Sequence, residues 1–515
     1  MALLCTGSTA SRNYVPGMTE AFYRKLPVLA ITATQHPGRV GNNYGQVLDR
    51  SQPMKDIVKE SVFVGRVYSA EDEWACGMTI NKALIALRRE GGGPAHINLE
   101  TTYSRDFSVK ELPPVKGIRY TFGIKDMPEI ADGTRVAVML GVHPKWSDAL
   151  ARAVEDFCAA YDAVVLNHHA CNYKGEYGAS YAVMLNMQQY VSPNLDADLI
   201  IYIGSVARYV SGVRNKNCVM WRVAPDGIIR DNERKLTHLF QADEVDFFRY
   251  YADLKKGKTK PCRFAKALQA EYEEVIAKVP ELPFSNVYVA QHAIQKLPEG
   301  CVLHLAGSNT ARAWNFFTLS KSIVCHANDG TMGIDGQLSA LLGESLATPD
   351  KLHFGAIGDL TFFYDMNSIG NRHIGNNVRL IVVNNGRGAE FKLYSHPAFQ
   401  WGDDANAFMA AAGHYGNQSP DLIRHYAEDL GYEYLTASTK EEFLEKLERF
   451  TTPTMTDKSM IFEIFTNSDD ENEAIYTMNH LVQTADGKAK DVAKNMLKSL
   501  GGESAVKKVK SWLKH

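Results

Sequence analysis

The sequence predicts an α/β protein with three doubly wound domains, each built on a parallel sheet. Short apolar runs of strand length alternate with helical patterns along the chain, as they do in successive βα units. Clear predicted strands lie at residues 135–141, 163–166 and 198–205. A chain of 515 residues has room for about three domains. Two linker-like segments, one with a Pro-Pro pair and one rich in lysine, divide it into three blocks.

The predicted domain boundaries follow these linkers. The first domain covers residues 1–112, and the central domain covers residues 117–255. The third domain covers residues 284–475, and residues 476–515 are predicted as a lysine-rich, helical C-terminal tail.

Composition narrows the class of protein. The chain is 45% hydrophobic and 22% charged with a net charge of −3, as is typical of soluble globular proteins. There is no basic excess to indicate nucleic acid or an anionic membrane surface as a partner, and the apolar runs are too short to span a bilayer. The eight cysteines contain no Cys-x-x-Cys pair, so neither a disulfide framework nor a zinc site is indicated. We therefore expect a cytoplasmic protein.

Two polar pairs, Gly358-Asp359 and Asn384-Asn385, each follow an apolar run in the third block. Parallel strands end at one edge of their sheet, and open α/β sheets bind ligands at that edge. An aspartate and an asparagine there supply hard oxygen ligands, which suit a Mg²⁺ ion that also holds phosphate groups. The glycine lets a diphosphate approach the backbone, and the helix that follows offers N–H groups to the anion.

The spaced pairs resemble the cofactor motif of thiamine diphosphate (ThDP) enzymes. The whole chain is similar to the decarboxylase and carboligase superfamily of the acetolactate synthase and pyruvate decarboxylase type. That resemblance implies a pyrimidine-binding domain, a central Rossmann-like domain and a diphosphate-binding domain, the first and last having the ThDP-binding fold. It also implies that Asp359, Asn385 and the backbone carbonyl of Arg387 bind Mg²⁺, and that Gly358 and Leu360 lie against the cofactor.

The third block resembles, more narrowly, the 2-succinyl-5-enolpyruvyl-6-hydroxy-3-cyclohexene-1-carboxylate synthase (MenD) family. This likeness implies that Ser308 contacts the cofactor and that Arg312 binds a substrate carboxylate. Gln46 resembles the glutamine that reaches the reacting centre. Ile334 resembles the bulky residue that holds the cofactor bent, although a core isoleucine is the alternative, and Glu390 is either a determinant of the acceptor or a surface residue. The segments that carry the likeness are residues 307–312, 328–336 and 358–367.

Two departures from the family pattern predict that isochorismate is not the acceptor. Asp329 stands where the family has an arginine, and residues 33–37 read Ala-Thr-Gln-His-Pro where the family has Ala-Asp-Arg-Pro. Both lost arginines are candidates to bind carboxylates. Ser308 and Arg312 remain, so one carboxylate of a 2-oxo acid has a place to bind.

The family also carries an activating glutamate in a segment that precedes the first strand seen in this sequence. No residue of this chain is assigned to that role. We expect a truncated chain or a mis-assigned start codon. A second chain that supplies the segment, or a protein that binds ThDP without turnover, are the alternatives.

The resemblance implies a ThDP- and Mg²⁺-dependent carboligase or decarboxylase, a transferase or lyase, which takes a 2-oxo acid donor and a carbonyl acceptor. One alternative is an acetolactate-synthase-like condensation of pyruvate with a small keto acid or keto-sugar. Others are a ThDP-binding subunit or pseudoenzyme, and a plain nucleotide-binding module. Family members build each site from two subunits, which implies a homodimer or homotetramer. Some relatives bind FAD, and no motif here demands it.

Two other clusters of potential ligands are predicted to be structural. Residues 168–171, His-His-Ala-Cys, follow a predicted strand and are expected to form a loop rather than a metal site. Residues 467–473 are rich in acids and amides but lack the spacing of a calcium loop, so they are predicted as a solvated turn.

Overall fold

A computed structural model describes residues 1–5, 8–42, 44, 47–102, 108, 110–111, 115–143, 146–206, 209, 211–330, 333–414, 419–485 and 487–488. They form two compact units. Unit 1 comprises Met1–Thr134, Asp198–Ile203 and Asn217–Leu254, and unit 2 comprises Arg135–Ala197, Gly204–Lys216 and Lys255–His515.

Strands and helices alternate along the described chain. The strands are β1 (Ala2–Cys5), β2 (Leu29–Thr34), β3 (Glu60–Val64), β4 (Ala95–Glu100), β5 (Arg119–Phe122), β6 (Val136–Leu140), β7 (Val164–Asn167), β8 (Gly178–Ser180), β9 (Leu199–Ile203), β10 (Val219–Val223), β11 (Leu236–Gln241), β12 (Val302–Leu305), β13 (Val324–Ala327), β14 (His353–Gly358), β15 (Val378–Asn384), β16 (Glu433–Ala437) and β17 (Met460–Phe465). The α-helices are α1 (Val15–Tyr23), α2 (Ala70–Ala86), α3 (Asp148–Tyr161), α4 (Ala182–Asn186), α5 (Glu244–Leu254), α6 (Arg263–Ile276), α7 (Asn286–Ala293), α8 (Asn309–Trp314), α9 (Gln337–Ala347), α10 (Asp359–Asp365), α11 (Leu422–Asp429), α12 (Lys440–Phe450) and α13 (Ser468–Asn479). Short 3-10 helices lie at Ser8–Tyr14, Pro37–Arg39, Arg89–Gly91, His169–Cys171, Met366–Gly370, Ala389–Lys392, Pro397–Phe408 and Ala410–Ala412.

All of these strands pair in parallel. In unit 1 the neighbouring strands follow the orders β1-β2-β4-β3 and β5-β11-β10-β9. Unit 2 holds β6-β7-β8 and the six-stranded order β13-β12-β14-β15-β17-β16. In total the described strands belong to three parallel sheets, so the predicted fold class, an α/β protein with three parallel-sheet domains, is confirmed. No helix among the described residues is long and apolar enough to cross a membrane.

Central strands are buried along their whole length, as expected where helices cover both faces of a parallel sheet. All five residues of β6 and all seven of β15 are buried. Helices α2, α3, α7, α12 and α13 each begin after a residue whose side chain accepts a hydrogen bond from the first turn, which satisfies N–H groups that the helix itself leaves unpaired. These capping residues are Ser69, Ser147, Ser285, Thr439 and Asn467.

The six-stranded sheet has a switch point between β12 and β14. The chain passes from β12 outward to β13, and then returns to place β14 on the other side of β12. In open parallel sheets the helices on either side of such a point leave a crevice at the carboxyl ends of the strands. The sheet therefore predicts a ligand site near the ends of β12 and β14.

The predicted strands of the central and third blocks are confirmed, with bounds shifted by one or two residues. The predicted loop at residues 168–171 is a 3-10 helix at His169–Cys171. The predicted solvated turn at residues 467–473 is wrong, because this segment caps and opens α13. Most of the predicted helical tail, residues 486 and 489–515, lies outside the described residues, and the domain boundaries stay predictions.

Close packing of α9 on β14 depends on Gly355. A Cβ atom there would lie 2.5 Å from Leu341 Cδ2 of α9 and 2.9 Å from Leu380 Cδ1 of β15. We expect Gly355→Ala to lower the free energy of unfolding by about 1–3 kcal/mol through overpacking, measured by urea denaturation. Gly343→Ala is the control, because a methyl group at Gly343, within α9, would meet no atom within 4 Å and should add up to about 1 kcal/mol of stability. Equal unfolding midpoints for the two variants would contradict this account.

Candidate functional site

A pocket of about 260 Å³ in unit 2 is lined by residues that follow β12, β14 and β15. It lies at the switch point of the six-stranded sheet, where a ligand crevice is expected. Eight residues singled out in the sequence line it, and they are Ser308, Ile334, Gly358, Asp359, Leu360, Asn385, Arg387 and Glu390.

Asp359 is the first residue of α10 and is only 2% exposed. Its Oδ1 accepts a hydrogen bond from the Leu360 N–H at 2.9 Å, and its Oδ2 lies 2.7 Å from His414 Nε2. The His414 ring packs against Phe363 with ring centroids 4.7 Å apart. A buried carboxylate needs such partners or a cation. No local pattern points to His414, which lies 55 residues further along the chain.

The two asparagines after β15 have different environments. Asn384 donates from Nδ2 to Glu463 at 2.6 Å, and its Oδ1 accepts from the Gly386 N–H at 3.1 Å. Gly386 has φ +78°, a backbone conformation that favours glycine. Asn385 lines the pocket, and its Oδ1 accepts from the Arg387 N–H at 3.3 Å. Asn384 thus fixes the turn, and the turn presents Asn385 to the pocket.

The oxygen ligands that these residues offer suit a small, hard cation. A carboxylate, a carboxamide and a backbone carbonyl are the oxygen ligands that Mg²⁺ prefers. The three residues predicted to supply them, Asp359, Asn385 and Arg387, all line this pocket. There is also room for a ligand beside them, since a Cβ atom on Gly358 would meet no atom within 4 Å.

Two buried glutamates lie next to this pocket. Glu463 of β17 accepts one hydrogen bond from Asn384 and one from the Tyr434 hydroxyl, and burial raises its pKa. Glu471 of α13 accepts from the Asn286 N–H at 3.0 Å and from Thr466 Oγ1 at 2.8 Å. Burial raises the pKa of Glu471 to about 7 despite these two bonds, and the negative charge of Asp359 adds a smaller upward contribution to the pKa of both glutamates. The pocket thus lies in a region with an excess of buried acids.

Sequence reasoning missed Glu471, although a signal existed. Asn467 accepts hydrogen bonds from the N–H groups of Asp469 and Asp470 at 3.1 and 2.9 Å. An asparagine followed at once by acidic residues is typical of the start of a helix. A helix there would have placed Glu471 in its first turn, where one side faces the core.

The predicted carboxylate-binding pair, Ser308 and Arg312, is occupied by Glu390. Ser308 Oγ donates to Glu390 Oε2 at 2.9 Å. Arg312 Nη1 and Nη2 lie 3.3 and 3.4 Å from the two carboxylate oxygens, and Nη1 also donates to Asn309 Oδ1 at 2.8 Å. A two-pronged guanidinium–carboxylate contact is the geometry expected for a bound carboxylate. Here the protein itself supplies the anion.

Helix α9 connects two loops of the pocket. Its first residue, Gln337, accepts from the Gly307 N–H at 3.1 Å and donates from its amide nitrogen to the Gly333 carbonyl. Ile334 lies beside Gly333, is half-buried and lines the pocket. It therefore presents an apolar surface to the pocket rather than to the core.

Other predicted residues lie apart from this pocket or outside the described chain. Gln46 is not among the described residues. Asp329 is buried at 1% exposure and is not one of the residues that line the pocket. Arg312 is not one of the residues that line the pocket, and its guanidinium group contacts two that do, Asn309 and Glu390.

The chain is similar to several curated synthases along nearly its whole length. It is 30% identical over 502 residues to the 2-succinyl-5-enolpyruvyl-6-hydroxy-3-cyclohexene-1-carboxylate synthase of Phocaeicola vulgatus, covering 93% of this chain and 86% of the relative. The synthase of the same name from Bacteroides fragilis is 29% identical over 504 residues, with coverages of 93% and 87%. That of Cytophaga hutchinsonii is 23% identical over 504 residues, with the same coverages. No protein-family model matches the chain.

The parallel-sheet fold and these relatives place the protein in the class of ThDP-dependent carboligases and synthases. Within that class, the chain belongs to the 2-succinyl-5-enolpyruvyl-6-hydroxy-3-cyclohexene-1-carboxylate synthase family. The family resemblance predicted from the sequence is therefore confirmed.

The raised pKa of Glu471 makes a prediction for stability. An unfolded glutamate has a pKa of about 4.3, whereas burial raises that of Glu471 to about 7 in the folded protein. The protonated side chain therefore stabilises the fold fully below about pH 4.3, and that contribution is lost as the pH rises through about 7. In the parent, the free energy of unfolding should therefore fall by roughly 3–4 kcal/mol across this pH window. We expect Glu471→Gln, which cannot titrate, to lack this fall, as measured by urea unfolding at successive pH values. Exposed Glu473 of the same helix is the control, and Glu473→Gln should keep the parent slope. If the free energy of unfolding of Glu471→Gln depended on pH as that of the parent does, the Glu471 carboxyl would not be the group that titrates.

Proposed function

We propose that the protein is a ThDP- and Mg²⁺-dependent carboligase or decarboxylase that acts on a 2-oxo acid and does not use isochorismate as acceptor. The exclusion of isochorismate rests on one observation, the contact of Glu390 with both Ser308 and Arg312. The cation expected to hold a substrate carboxylate already faces a carboxylate of the protein.

The pocket supports the cofactor assignment. Asp359, Asn385 and the carbonyl of Arg387 would hold Mg²⁺, and Gly358 and Leu360 would leave the backbone open to the diphosphate. When bound, ThDP supplies a carbon nucleophile and accepts the electrons released on decarboxylation. Ile334, at the edge of the pocket, would support the cofactor with an apolar surface and keep water from it.

The charges around the pocket support an acceptor without several carboxylates. Glu390 offsets the charge of Arg312. Asp329, which does not line the pocket, is an acid where the family pattern has an arginine. A polycarboxylate would have to displace Glu390 and leave its charge without its partners, which is costly in a partly buried site. An uncharged carbonyl group avoids that cost.

The same contact favours one second candidate, an acetolactate-synthase-like condensation of pyruvate with a small keto acid or keto-sugar. Release of CO₂ in the presence of each acceptor separates the two candidates, since the productive acceptor should accelerate it. A ThDP-binding subunit would bind the cofactor and release no CO₂ with any donor. By the family plan we further propose a cytoplasmic homodimer or homotetramer.

Cofactor binding tests the assignment without requiring turnover. We expect Asp359→Asn to weaken Mg²⁺-dependent binding of ThDP by at least about 100-fold, since even residues that only support a metal ligand cost 10- to 100-fold when changed. Calorimetric titration of the full chain with ThDP, with and without Mg²⁺, measures this. The control is Asp350→Asn, an exposed acid in the turn before β14, which should bind as the parent does. The proposed ThDP site would be refuted if Asp359→Asn bound ThDP as tightly as the parent does. It would also be refuted if ATP bound to the same site as tightly as ThDP.

The role of Glu390 is tested with glutarate, a dicarboxylate that cannot react. We expect Glu390→Gln to tighten glutarate binding about tenfold, because a charge-assisted hydrogen bond is worth about 1.5–3 kcal/mol and Arg312 becomes available to the ligand. Titration calorimetry in the presence of ThDP and Mg²⁺ measures the affinity, with the diamide of glutarate as the uncharged control.

A double-mutant cycle shows whether Arg312 carries the gain. In the Arg312→Gln background, Glu390→Gln should leave glutarate binding unchanged. An equal gain in both backgrounds, or no gain in either, would show that Glu390 does not compete for a carboxylate site.

A further inference from the structure

Three histidines and a glutamate that play no part in the pocket meet on one face of the six-stranded sheet. They are His304 of β12, His326 of β13, Glu344 of α9 and His353 of β14. His353 is the first residue of β14 and Gly358, which lines the pocket, is the last. About 16 Å of strand separates them, so this cluster is distinct from the cofactor pocket.

Strand register places the histidines together. His304 is directly opposite His326 in the β12–β13 pair. His353 is opposite Val302, two residues before His304, in the β12–β14 pair. Side chains two residues apart on a strand point to the same face, so all three imidazoles leave the sheet on one side.

Helix α9 brings the carboxylate to that side. Leu341 of α9 packs where a side chain on Gly355 would lie, next to His304 in the sheet. Glu344 is one turn further along the helix and so shares that face. The four side chains therefore come from three strands and the helix that covers them.

The distances suit a single metal ion. His304 Nε2 lies 2.7 Å from Glu344 Oε2, and His326 Nε2 lies 3.2 Å from Glu344 Oε1. One ligand atom each from His304, Glu344 and His353 lie within 4.8 Å of one another. Tetrahedral zinc with bonds of about 2.0–2.2 Å holds its ligand atoms about 3.3–3.6 Å apart, so small side-chain rotations would complete the site.

His353 adds an independent observation. Its side chain is fully buried, and its Nδ1 has no hydrogen-bond partner among the described residues. Its Nε2 lies 2.9 Å from Thr348 Oγ1 and 3.2 Å from the Thr348 carbonyl oxygen. A carbonyl only accepts hydrogen bonds, so Nε2 carries the proton and Nδ1 has a lone pair. Imidazoles that bind metals are held in the same way, by donating their other N–H to a carbonyl or carboxylate.

The charge of the cluster also suits a divalent ion. Glu344 lies between His304 and His326 and brings one carboxylate group to the cluster. Three imidazoles and one carboxylate are the nitrogen-rich set that zinc prefers, whereas Mg²⁺ requires oxygen ligands.

We propose that His304, Glu344 and His353, with His326 as the fourth ligand, form a zinc site that ties β12, β13 and β14 to α9. The same helix begins at Gln337, which holds the two pocket loops at Gly307 and Gly333. Zinc here stabilises the sheet that carries the pocket. It takes no part in the chemistry, and the site stands whether or not the proposed function holds.

Zinc titration of the tag-free full chain tests the site. We expect one Zn²⁺ per chain in competition with a chromophoric chelator, and a tetrahedral absorption spectrum with Co²⁺. Glu344→Gln keeps the shape of the side chain and loses its charge, and it should weaken Zn²⁺ binding at least about 100-fold. Zn²⁺ should raise the thermal unfolding midpoint of the parent and leave that of Glu344→Gln unchanged. His326→Gln changes a residue of the half-exposed edge strand and should weaken Zn²⁺ binding about tenfold. It provides a second test of the site if Glu344→Gln does not fold.

Two controls separate this site from other places where zinc can bind. Asp359→Asn removes the carboxylate beside His414 and should keep the stoichiometric zinc, as should His373→Gln, which changes an exposed histidine. Circular dichroism confirms that each variant is folded. Loss of the zinc in Asp359→Asn or His373→Gln, parent-like binding in Glu344→Gln and His326→Gln, or no zinc bound by the parent would each overturn the proposal.

Discussion

The candidate site depends on the parallel register between β14 and β15. Six consecutive residue pairs join these strands, and the last pair sets Gly358 beside Val383. Both strands therefore end at the same height, so the residues that follow, Asp359 on one and Asn385 on the other, line one pocket. An antiparallel neighbour would send one of the two polar ends to the opposite edge of the sheet. The buried, apolar length of β15 fixes this register, because sliding it would expose apolar side chains.

Three carboxyl groups are buried around this edge of the sheet. Asp359, Glu463 and Glu471 are all buried, and the charge of Asp359 contributes to the raised pKa of the two glutamates. Hydrogen bonds from Asn384 and Thr466 offset part of the cost of burying these acids. A divalent cation beside Asp359 would offset more of it, since an opposite charge nearby favours the ionised form of each carboxyl. Cation binding, carboxylate ionisation and stability are thus linked at this edge.

Sequence reasoning reached the fold class and eight of the residues that line the pocket, because both depend on local patterns. Apolar runs mark the parallel strands, and polar residues at their ends mark Asp359 and Asn385. It did not reach His414, which meets Asp359 across 55 residues, or the pairing of Arg312 with Glu390 across 78. The histidine cluster likewise joins residues on different elements whose spacing follows no ligand motif. Such contacts arise from strand order and helix placement, which no short window of sequence encodes.

The backbone of Ser308 has a consequence for how ligands enter this pocket. Ser308 has φ +60° and ψ −128°, a conformation that a residue with a side chain holds at a cost of about 1–3 kcal/mol. Its hydroxyl bond to Glu390 and the Arg312 N–H bond to its carbonyl oxygen hold it there. A ligand that displaces Glu390 removes the first of these two restraints and leaves the backbone bond from Arg312 as the second. Binding of an anion in place of Glu390 would then allow part of this backbone strain to relax. The measured affinity would include that release of strain as well as the contacts of the ligand.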